Sequence, residues 1–474
     1  VATVAVYSDA DRHAPHVVQA DEAVLLGDAA PSASYLNIDK LIAAARQTGA
    51  EALHPGYGFL SENPVFAERV AAGGLVFIGP GAEAMRRLGD KVAARNLARQ
   101  AGVPTVPGMD APEADENRLA AAAERIGYPV LIKASAGGGG KGMRVVERPQ
   151  ALPEAARLAA SEAQSAFGDG RIFLEKYLPR PRHVEIQVLG DHHGSVIYLG
   201  ERECSIQRRH QKIVEESPSP ALDAALRRRM GEAAVRLAKA AGYTNAGTVE
   251  FLLDESGDFY FLEVNTRLQV EHPVTEMVTG LDLVRLQLNI AAGQPLGIAQ
   301  SDVAPRGHAI ECRIYAEDPA AGFIPSPGRI LLAEAPAGPG IRYDHAVVSG
   351  MEVPVHYDPL LGKLIAFAET REACIARMKR ALAECVVLGV RTPIEYLIDV
   401  LSHSAFEQGK THTHFLGEHF AAWRPDAASD TAAAVGYLLE TAHGVSAPSG
   451  AARTDQTAEF SPWRRLGRWD LAEG

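Results

Sequence analysis

The most informative pattern in this chain is an alternation of polar and apolar residues from Glu263 to Glu271. The odd-numbered positions are Glu, Asn, Arg, Gln and Glu, and the even-numbered positions are apolar except for Thr266. Successive side chains of an extended chain point to opposite faces, so the five polar groups are predicted to share one side. Period alone also fits an ordinary half-exposed strand. Carboxylate, amide and guanidinium groups are unusual in a strand, however, and suit a site for a cation and a small oxyanion.

Strands and helices alternate before this stretch. Apolar runs predict strands at 1–7, 23–26, 52–54 and 76–78, with an amphipathic helix at 35–47. This order is typical of a parallel α/β sheet. Such a domain usually begins with a strand, a glycine turn and a helix, and none precedes Val1. We therefore expect the first strand and helix of this domain to be missing from the chain.

Two further units follow. Helices predicted at 82–101 lead to a second unit, with strands at 128–133, 144–146 and 172–177 and a helix at 151–167. A larger third unit, about 179–423, contains the alternating stretch. The pattern therefore predicts several domains of mixed helix and strand.

Composition excludes several classes. The chain has 474 residues, of which 47% are hydrophobic and 22% charged, and its net charge of −12 argues against a general nucleic-acid binder. No apolar run reaches about 18 residues, and no signal-peptide pattern is present. Cys204, Cys312, Cys374 and Cys385 lack CxxC spacing and are predicted to be reduced core thiols. We expect a cytoplasmic protein, or a mitochondrial matrix protein if the source is eukaryotic.

A second motif is the run Gly137, Gly138, Gly139 and Gly140, which follows an apolar strand ending at Lys133. Glycine adopts backbone conformations closed to other residues, and its N–H groups can fold over phosphate oxygens. The run is not a P-loop, and a strand rather than a helix is predicted after it. A mobile surface turn would explain a lone glycine run equally well. Lys133 favours a flap over a nucleotide.

Positive charge is concentrated in the segment 207–212, which contains two arginines, His210 and Lys212. Such a run is usually a solvated loop. In a chain of net charge −12 it is also the densest positive patch available to a polyphosphate. Glu175 and Lys176 lie where the second and third units join, a common place for gripping a nucleotide base.

A metal site is indicated by Glu250 and Glu263. Glu250 lies on a predicted strand that would pair with the strand leading to Glu263. Two carboxylates about 4 Å apart repel by about 4 kcal/mol at an effective dielectric constant of about 20. Such a pair shares a proton or binds a divalent cation, and beside phosphates Mg²⁺ is expected.

Several long motifs together resemble the biotin carboxylase component of biotin-dependent carboxylases, which has the ATP-grasp fold. They lie at 54–63, 182–187, 207–212, 263–275 and 311–313, together with the glycine flap. The resemblance extends from Val1 to about Phe420.

The resemblance implies a role for each candidate residue. Lys91, Lys133 and His210 would contact the ATP phosphates beneath the flap formed by Gly137, Gly138, Gly139 and Gly140. Glu175, Lys176 and the Leu178 backbone would hold adenine, with His183 and Gln207 near the ribose. Glu250, Glu263 and Asn265 would serve Mg²⁺ or Mn²⁺. Lys212, Arg267, Gln269 and the Val270 backbone would bind bicarbonate. Glu271 would be the general base, and Arg313 would stabilise the biotin enolate.

The resemblance also implies an α/β (α+β) organisation. An N-terminal Rossmann-like domain would span 1–78, connecting helices 79–104 and an ATP-grasp lid 105–178. The rest of the ATP-grasp domain and a biotin carboxylase C-terminal domain would span 179–423. ATP, the metal ion and biotin on a separate carrier domain are implied, with a carboxyltransferase (β) subunit as partner and an oligomeric assembly. Neither nucleic acid nor membrane is expected as a partner.

The remaining segment, 424–474, is predicted to be an Ala/Ser/Thr-rich linker and the beginning of a further domain at 461–469. This continuation resembles acyl-CoA carboxylase α chains, especially the methylcrotonyl-, geranyl- and propionyl-CoA types. The expected function is ATP-dependent carboxylation of biotin by bicarbonate through carboxyphosphate, with methylcrotonyl-CoA favoured as the final acceptor. Pyruvate and urea carboxylases are alternatives within the family.

Two hypotheses from other classes remain open. An ATP-grasp ligase that joins an organic carboxylate to an amine would explain the flap and the metal pair, but not the joint presence of Lys212, Arg267, Glu271 and Arg313. A non-catalytic ATP-binding scaffold predicts that nucleotide binds and that Glu271→Ala changes nothing measurable. Bicarbonate-dependent ATP hydrolysis, raised by free biotin, discriminates among the three.

Overall fold

The computed structural model describes residues 1–109, 111–134, 143–209 and 211–426. The chain separates into a unit from Val1 to Arg424 and a second unit, Pro425–Gly474, of which only the first two residues are described. The four glycines of the predicted flap, His210 and the predicted further domain lie outside the described residues. None of the described helices combines the length and the apolar composition that a membrane crossing requires.

The N-terminal part alternates short strands and helices. Its elements are β1 (Val4–Ser8), α1 (Pro15–Gln19), β2 (Glu22–Gly27), α2 (Ile38–Gln47), β3 (Ala52–Leu53), α3 (Pro64–Ala72), β4 (Val76–Phe77), α4 (Ala82–Gly89) and α5 (Lys91–Gln100). β1 pairs in parallel with β2, and β3 with β4. The helix predicted from residue 35 begins at Ile38, because the Asn37 side chain accepts the Lys40 N–H and caps it.

A small antiparallel sheet follows, in the region predicted to be a lid. Its elements are α6 (Glu116–Ile126), β5 (Val130–Ala134), β6 (Arg144–Val146), α7 (Leu152–Phe167) and β7 (Ile172–Lys176). The strand order is β6-β5-β7, so β5 and β6 pair on either side of the glycine segment. Leu119, Ile132 and Leu174 lie in the core between this sheet and its helices.

The next part of the chain forms most of a large sheet. Its elements are β8 (Arg182–Gly190), β9 (Val196–Arg208), β10 (Gln211–Ser217), α8 (Ala224–Ala241), β11 (Asn245–Leu253), β12 (Phe259–Asn265), α9 (His272–Thr279), α10 (Leu283–Ala291) and β13 (His308–Tyr315).

The C-terminal part completes this sheet and adds short hairpins and helices. Its elements are β14 (Glu317–Asp318), β15 (Ile324–Pro325), β16 (Gly328–Arg329), β17 (Leu332–Glu334), β18 (Ile341–His345), β19 (Glu352–Val353), β20 (Leu360–Ala368), α11 (Arg371–Glu384), β21 (Val386–Leu388), α12 (Ile394–Ser402), α13 (Ser404–Glu407) and α14 (Phe415–His419). The large sheet has the order β12-β11-β8-β9-β10-β13-β20-β18, and its neighbouring strands are antiparallel.

Apolar residues at alternate strand positions pack the large sheet against helices. Val184 and Val249 contact the core under α8, and Ile310 and Leu364 contact the core under α11 and α12. The residues between them in sequence, such as Glu185 and Glu250, therefore point to the other face. All four cysteines are free and buried, which confirms their prediction as core thiols.

The polar alternation continues beyond its strand. β12 ends at Asn265, the residues 266–271 form a loop, and α9 begins at His272. The strand therefore accounts for Glu263 and Asn265, whereas loop geometry positions the later polar residues of the row.

Candidate functional site

A cavity of about 1420 Å³ lies between the small sheet β6-β5-β7, the polar face of the large sheet and the N-terminal part. Its lining contains each described residue that the sequence predicts for the site, namely Lys91, Lys133, Glu175, Lys176, Leu178, His183, Gln207, Lys212, Glu250, Glu263, Asn265, Arg267, Gln269, Val270, Glu271 and Arg313. The structure therefore brings together residues that lie more than two hundred positions apart in the sequence.

Lys212, on β10, is the centre of the charge arrangement. Its Nζ donates to Glu185 Oε2 at 2.5 Å, to Glu250 Oε1 at 2.7 Å and to Glu271 Oε1 at 2.8 Å. An ammonium group has three protons, so each carboxylate receives one. Burial alone would lower the pKa of Lys212, but the three carboxylates raise that pKa well above its usual value. Lys212 is therefore a permanent positive charge beside the cavity.

Glu271, the predicted base, ends the loop before α9 and lies between two cations. Its carboxylate accepts from Lys212 and, at 3.0 Å, from Arg313 Nη2. Burial alone would raise the pKa of Glu271, but Lys212, Arg313 and Arg202 hold that pKa well below its usual range. The carboxylate is therefore ionised at neutral pH, which is the form that a general base requires. Its proton affinity rises when a bound anion offsets the charges of Lys212 and Arg313.

Arg202, on β9, is a buried site residue that sequence reasoning missed. It is 0% exposed. Its five N–H groups donate to Glu185 Oε1 at 2.5 Å, Gln187 Oε1 at 2.7 Å, Thr275 Oγ1 at 3.0 Å, Thr248 Oγ1 at 3.0 Å and Gln269 Oε1 at 2.9 Å. Because Arg202 holds the Gln269 oxygen, the Gln269 amide nitrogen is directed to Glu250 Oε1 at 3.0 Å. No signal in a single sequence predicts this, since the pairing of Arg202 with Glu185 depends on the register of β8 and β9.

The loop 266–271 is anchored at its beginning by Glu62 of the N-terminal part. Glu62 accepts the Thr266 backbone N–H at 2.9 Å through one oxygen and Arg267 Nε at 2.9 Å through the other. Glu62 belongs to the motif at 54–63, which suggested no role for it from sequence alone. The contact orients the Arg267 guanidinium at the cavity.

The end of the same loop is held by His272 and Lys363. His272 Nδ1 lies 2.7 Å from the Gln269 carbonyl oxygen, and Lys363 Nζ donates to the Val270 carbonyl oxygen at 2.5 Å. Burial lowers the pKa of His272 to about 3, so its ring is neutral and donates through Nδ1. Sequence reasoning missed both residues, because their partners are backbone atoms of a loop.

The carboxylates predicted to hold a divalent cation lie opposite each other on neighbouring strands, Glu250 on β11 and Glu263 on β12. Burial would raise the pKa of Glu250, but Lys212 and His183 lower it well below the usual range. Burial and the charge of Glu250 raise the pKa of Glu263. No described lysine, arginine or histidine forms an ion pair with Glu263. Lys91, His183 and Lys212 lower its pKa only in part, from beyond ion-pair distance. A carboxylate without a direct ion pair, opposite a second carboxylate, fits a divalent cation.

Two further groups contact Glu250 of this carboxylate pair. Asn265 Nδ2 donates to Glu250 Oε1 at 2.7 Å. His183 Nε2 lies 2.9 Å from Glu250 Oε2, so this histidine is placed beside the carboxylate pair. Burial would lower the pKa of His183, but Glu250 raises it.

The small sheet β6-β5-β7 contributes a second group of charges. Glu175 on β7 pairs with Lys133 on β5 and with Arg95 Nη1 on α5, the latter at 2.6 Å. Lys176 Nζ donates to the carbonyl oxygens of Gly127 and Tyr128, both at 2.9 Å. The Lys133 and Lys176 ammonium groups are therefore engaged within this part of the chain.

Three protein-family models match successive parts of the chain. They are "Biotin carboxylase, N-terminal domain" at residues 1–85, "Carbamoyl-phosphate synthase L chain, ATP binding domain" at residues 90–299, and "Biotin carboxylase C-terminal domain" at residues 311–418.

Curated relatives of several kinds are similar to the chain at nearly equal identity. A biotin carboxylase of Nostoc sp. is 53% identical over 418 residues, 88% of this chain and 94% of the relative. A pyruvate carboxylase subunit of Methanothermobacter thermautotrophicus is 51% identical over 88% of this chain and 85% of the relative. The propionyl-CoA carboxylase α chain of Ruegeria pomeroyi is 51% identical over 89% of this chain and 65% of the relative.

A solved structure has the same architecture. The biotin carboxylase domain of Hydrogenobacter thermophilus 2-oxoglutarate carboxylase, solved as a dimer with MgADP, ADP and bicarbonate, is 47% identical. The similarity covers 88% of this chain and 92% of that chain, with a TM-score of 0.83. The predicted ATP-grasp architecture is thereby confirmed.

Proposed function

This chain belongs to the biotin carboxylase family, and from that membership we propose that it carboxylates biotin on a carrier domain, using ATP and bicarbonate. The observation that supports the proposal most is the position of Glu271, an ionised carboxylate held between Lys212 and Arg313 beside the cavity. A base among cations suits the deprotonation of a small anion such as bicarbonate. A ligase for organic carboxylates needs no such base for its first step, because its carboxylate substrate is already ionised when it attacks the γ-phosphorus.

ATP would occupy the lid side of the cavity. Its phosphates would be bound by Lys91, Lys133 and His210, its adenine by Glu175, Lys176 and the Leu178 backbone, and its ribose by His183 and Gln207. Lys133 would then exchange Glu175 for a phosphate oxygen, a stronger acceptor with more negative charge. The Hydrogenobacter relative, solved with MgADP, supports the binding of an adenine nucleotide.

Glu250 and Glu263 would hold Mg²⁺ or Mn²⁺, with Asn265 beside them. When bound, such an ion neutralises phosphate charge during phosphoryl transfer. The raised pKa of Glu263, which faces Glu250 without an ion pair among the described residues, supports this assignment.

Bicarbonate would be bound by Lys212, Arg267, Gln269 and the Val270 backbone. Glu271 takes its proton as a bicarbonate oxygen attacks the γ-phosphorus, the bond to ADP breaks, and carboxyphosphate forms. Carboxyphosphate then divides into CO₂ and phosphate, and the phosphate removes the proton from biotin N1. Arg313 stabilises the negative charge on the ureido oxygen while N1 attacks CO₂. Carboxybiotin, ADP and phosphate are the products.

The proposal is tested by measuring ATP hydrolysis with and without bicarbonate and free biotin. We expect hydrolysis that requires bicarbonate and rises with biotin. Glu271→Gln should reduce it by about 10²–10⁴-fold, because the amide cannot accept the proton. Glu384→Gln is the matched control, since Glu384 pairs with Arg380 at the surface. Hydrolysis independent of bicarbonate in the unaltered chain would refute the proposal, and an unaffected Glu271→Gln would refute the base assignment.

For the final acceptor, we propose an acyl-CoA, with methylcrotonyl-CoA favoured. The support is the sequence at 461–469, which resembles acyl-CoA carboxylase α chains. The test is reconstitution with a biotinylated carrier and carboxyltransferase β subunits of each type, followed by transfer to methylcrotonyl-, geranyl- or propionyl-CoA or pyruvate. Productive transfer with only the pyruvate-type partner would overturn this assignment.

The carrier domain and the carboxyltransferase subunit are the proposed partners, in an oligomeric cytoplasmic assembly. The Hydrogenobacter relative, solved as a domain dimer, supports self-association. Sedimentation equilibrium of the chain tests it, and a monomer at all concentrations would argue against it.

A further inference from the structure

Behind Arg313 lie two acidic residues that the proposed reaction does not use. Glu215 on β10 is directly opposite Glu311 on β13 in the antiparallel register. Both are 0% exposed. Side chains directly opposite each other in such a pair have Cβ atoms about 5 Å apart, so the two carboxyl groups face the same small volume.

Donors for these two groups are too few among the described residues. Arg313 Nε donates to Glu215 Oε1 at 2.6 Å. Glu215 Oε2 and both oxygens of Glu311 have no hydrogen-bond partner among the described groups. The nearby Lys363 ammonium donates to the Val270 carbonyl instead. A buried carboxylate without a donor is strongly disfavoured, and two ionised ones side by side are more so.

One proton resolves this arrangement. If Glu311 is a neutral acid, its O–H can donate to the free Oε2 of Glu215, and the pair keeps a single negative charge for Arg313. If both were ionised, Arg313 would face Glu215, Glu311 and Glu271 together, and its positive charge would be drawn away from a substrate.

We propose that Glu215 and Glu311 form a carboxyl pair that holds one proton, resident on Glu311, and that this proton keeps the Arg313 guanidinium available to the substrate. The second clause rests on the proposed function, in which Arg313 stabilises the biotin enolate. Glu215 and Glu311 are positioning residues, since both act through Arg313.

The surroundings agree with a retained proton. Burial raises the pKa of both carboxyl groups, that of Glu311 well above its usual range and that of Glu215 only to about 7, because the Arg313 guanidinium bonds to Glu215 and opposes the effect of burial. The more retentive proton is therefore that of Glu311. The charged and titratable groups that face the pair are Arg313, Glu271, Lys212, Lys363, Tyr57, Cys204 and Cys312. Burial keeps both thiols protonated by raising their pKa. It also lowers the pKa of Lys363, which is, with Arg313, one of two cations whose charge opposes the effect of burial on Glu311.

Infrared difference spectroscopy of the chain without substrates tests the proton directly. We expect a protonated-carboxyl C=O band at neutral pH that Glu311→Gln removes and Glu215→Gln shifts in frequency. The control Glu203→Gln removes a separate buried acid, whose pKa burial also raises, and should leave the Glu311 band in place. If Glu311→Gln does not fold, the frequency shift in Glu215→Gln decides. A spectrum unchanged by both substitutions would overturn the proposal, because Glu311 would then be an ionised partner of Lys363.

The kinetic consequence is tested by the pH dependence of biotin-stimulated ATP hydrolysis. The unaltered chain should lose activity on the alkaline side as the pair loses its proton. Glu311→Gln has no proton to lose, so its alkaline limb should move up by about one pH unit or more. Identical alkaline limbs would overturn the role assigned to the proton. Because the infrared band needs no substrate, a band without bicarbonate-dependent activity would count against the proposed function alone.

Discussion

Lys212 forms three ion pairs with buried carboxylates of the site. Lys212→Met would leave Glu250 without its ammonium partner and would deprive Glu185 and Glu271 of one donor each. Because breaking a buried ion pair leaves uncompensated charge, we expect the free energy of unfolding to fall by about 3–5 kcal/mol and bicarbonate-dependent hydrolysis to be lost. Urea denaturation and the hydrolysis assay measure the two effects.

Lys379→Met is the matched control, because Lys379 pairs with the half-exposed Glu407 at 3.6 Å. A surface pair of this kind contributes about 0–1 kcal/mol. Equal losses of stability in the two variants would contradict the buried network described for Lys212.

The residues that the sequence predicts for the site line the cavity where the structure describes them, but sequence reasoning missed how the buried ones are paired. Glu263 and Glu271 belong to a pattern that is visible in one segment. Arg202 and Glu311 do not, because each acquires its partner through a strand register that one sequence does not specify. Glu215 is harder still, since it shares a face with Lys212 three residues earlier, and the register of β10 with β9 shifts between Lys212 and Val214.

At the scale of elements, the segment from β12 to α9 combines an edge strand, a loop and a helix start. The alternation predicted the direction of its side chains, but the pattern did not reveal that the strand ends at Asn265. The later residues keep facing the cavity because Glu62, Arg202, His272 and Lys363 hold the loop. Those anchors come from distant parts of the chain, so local periodicity contains no sign of them.

Glu62→Gln tests this anchoring. The substitution removes the negative charge that orients Arg267. It also replaces one of the two carboxylate oxygens that accept hydrogen bonds from the loop by an amide nitrogen, which cannot accept one. Charge-assisted hydrogen bonds are about twice as strong as neutral ones, so we expect KM for bicarbonate to rise about tenfold, with a smaller change in kcat. Steady-state kinetics with bicarbonate as the varied substrate measure both constants.

Glu68→Gln on α3 controls for the loss of an acidic residue near Glu62, because Glu68 pairs with Arg86 at the surface. An unchanged KM for bicarbonate in Glu62→Gln, or an equal rise in Glu68→Gln, would show that Glu62 does not orient the loop 266–271.

At the scale of the whole molecule, the site is assembled from several regions of the chain. Motifs in the sequence identify these regions, but they do not predict how the regions pack against one another. Glu62 comes from the N-terminal part, Glu175 from the small sheet β6-β5-β7, Lys212 from the large sheet and Arg313 from the strand that leads into the C-terminal part. The motifs predicted residues that line the cavity and the ATP-grasp class. The ion pairs among them depend on how the regions pack, which periodicity and composition do not encode.

The buried acids of the site make opposite contributions to stability as pH changes. Glu271 and Glu250 have lowered pKa values, so their contribution is present above the ordinary carboxyl pKa and is lost as pH falls through the lowered value. Glu311 has a raised pKa, so its contribution is present below the ordinary value of 4.5 and is lost as pH rises toward the raised one. The unfolded chain releases that proton first, which favours unfolding at higher pH.

Glu311→Gln removes the contribution of Glu311, whereas Glu215 and Glu263, whose pKa values are also raised, are present in both proteins. Between about pH 5 and pH 7 the unaltered chain should lose about 1.4 kcal/mol of unfolding free energy per pH unit relative to the variant, because the folded state alone retains the proton. Urea denaturation of both proteins at several pH values measures this difference in unfolding free energy. For the control Glu384→Gln, the difference from the unaltered chain should not change with pH. If the difference for Glu311→Gln did not change with pH either, Glu311 would be ionised in the folded chain. Arg313 would then face three carboxylates, and the proposal that Glu311 is a neutral acid would be wrong.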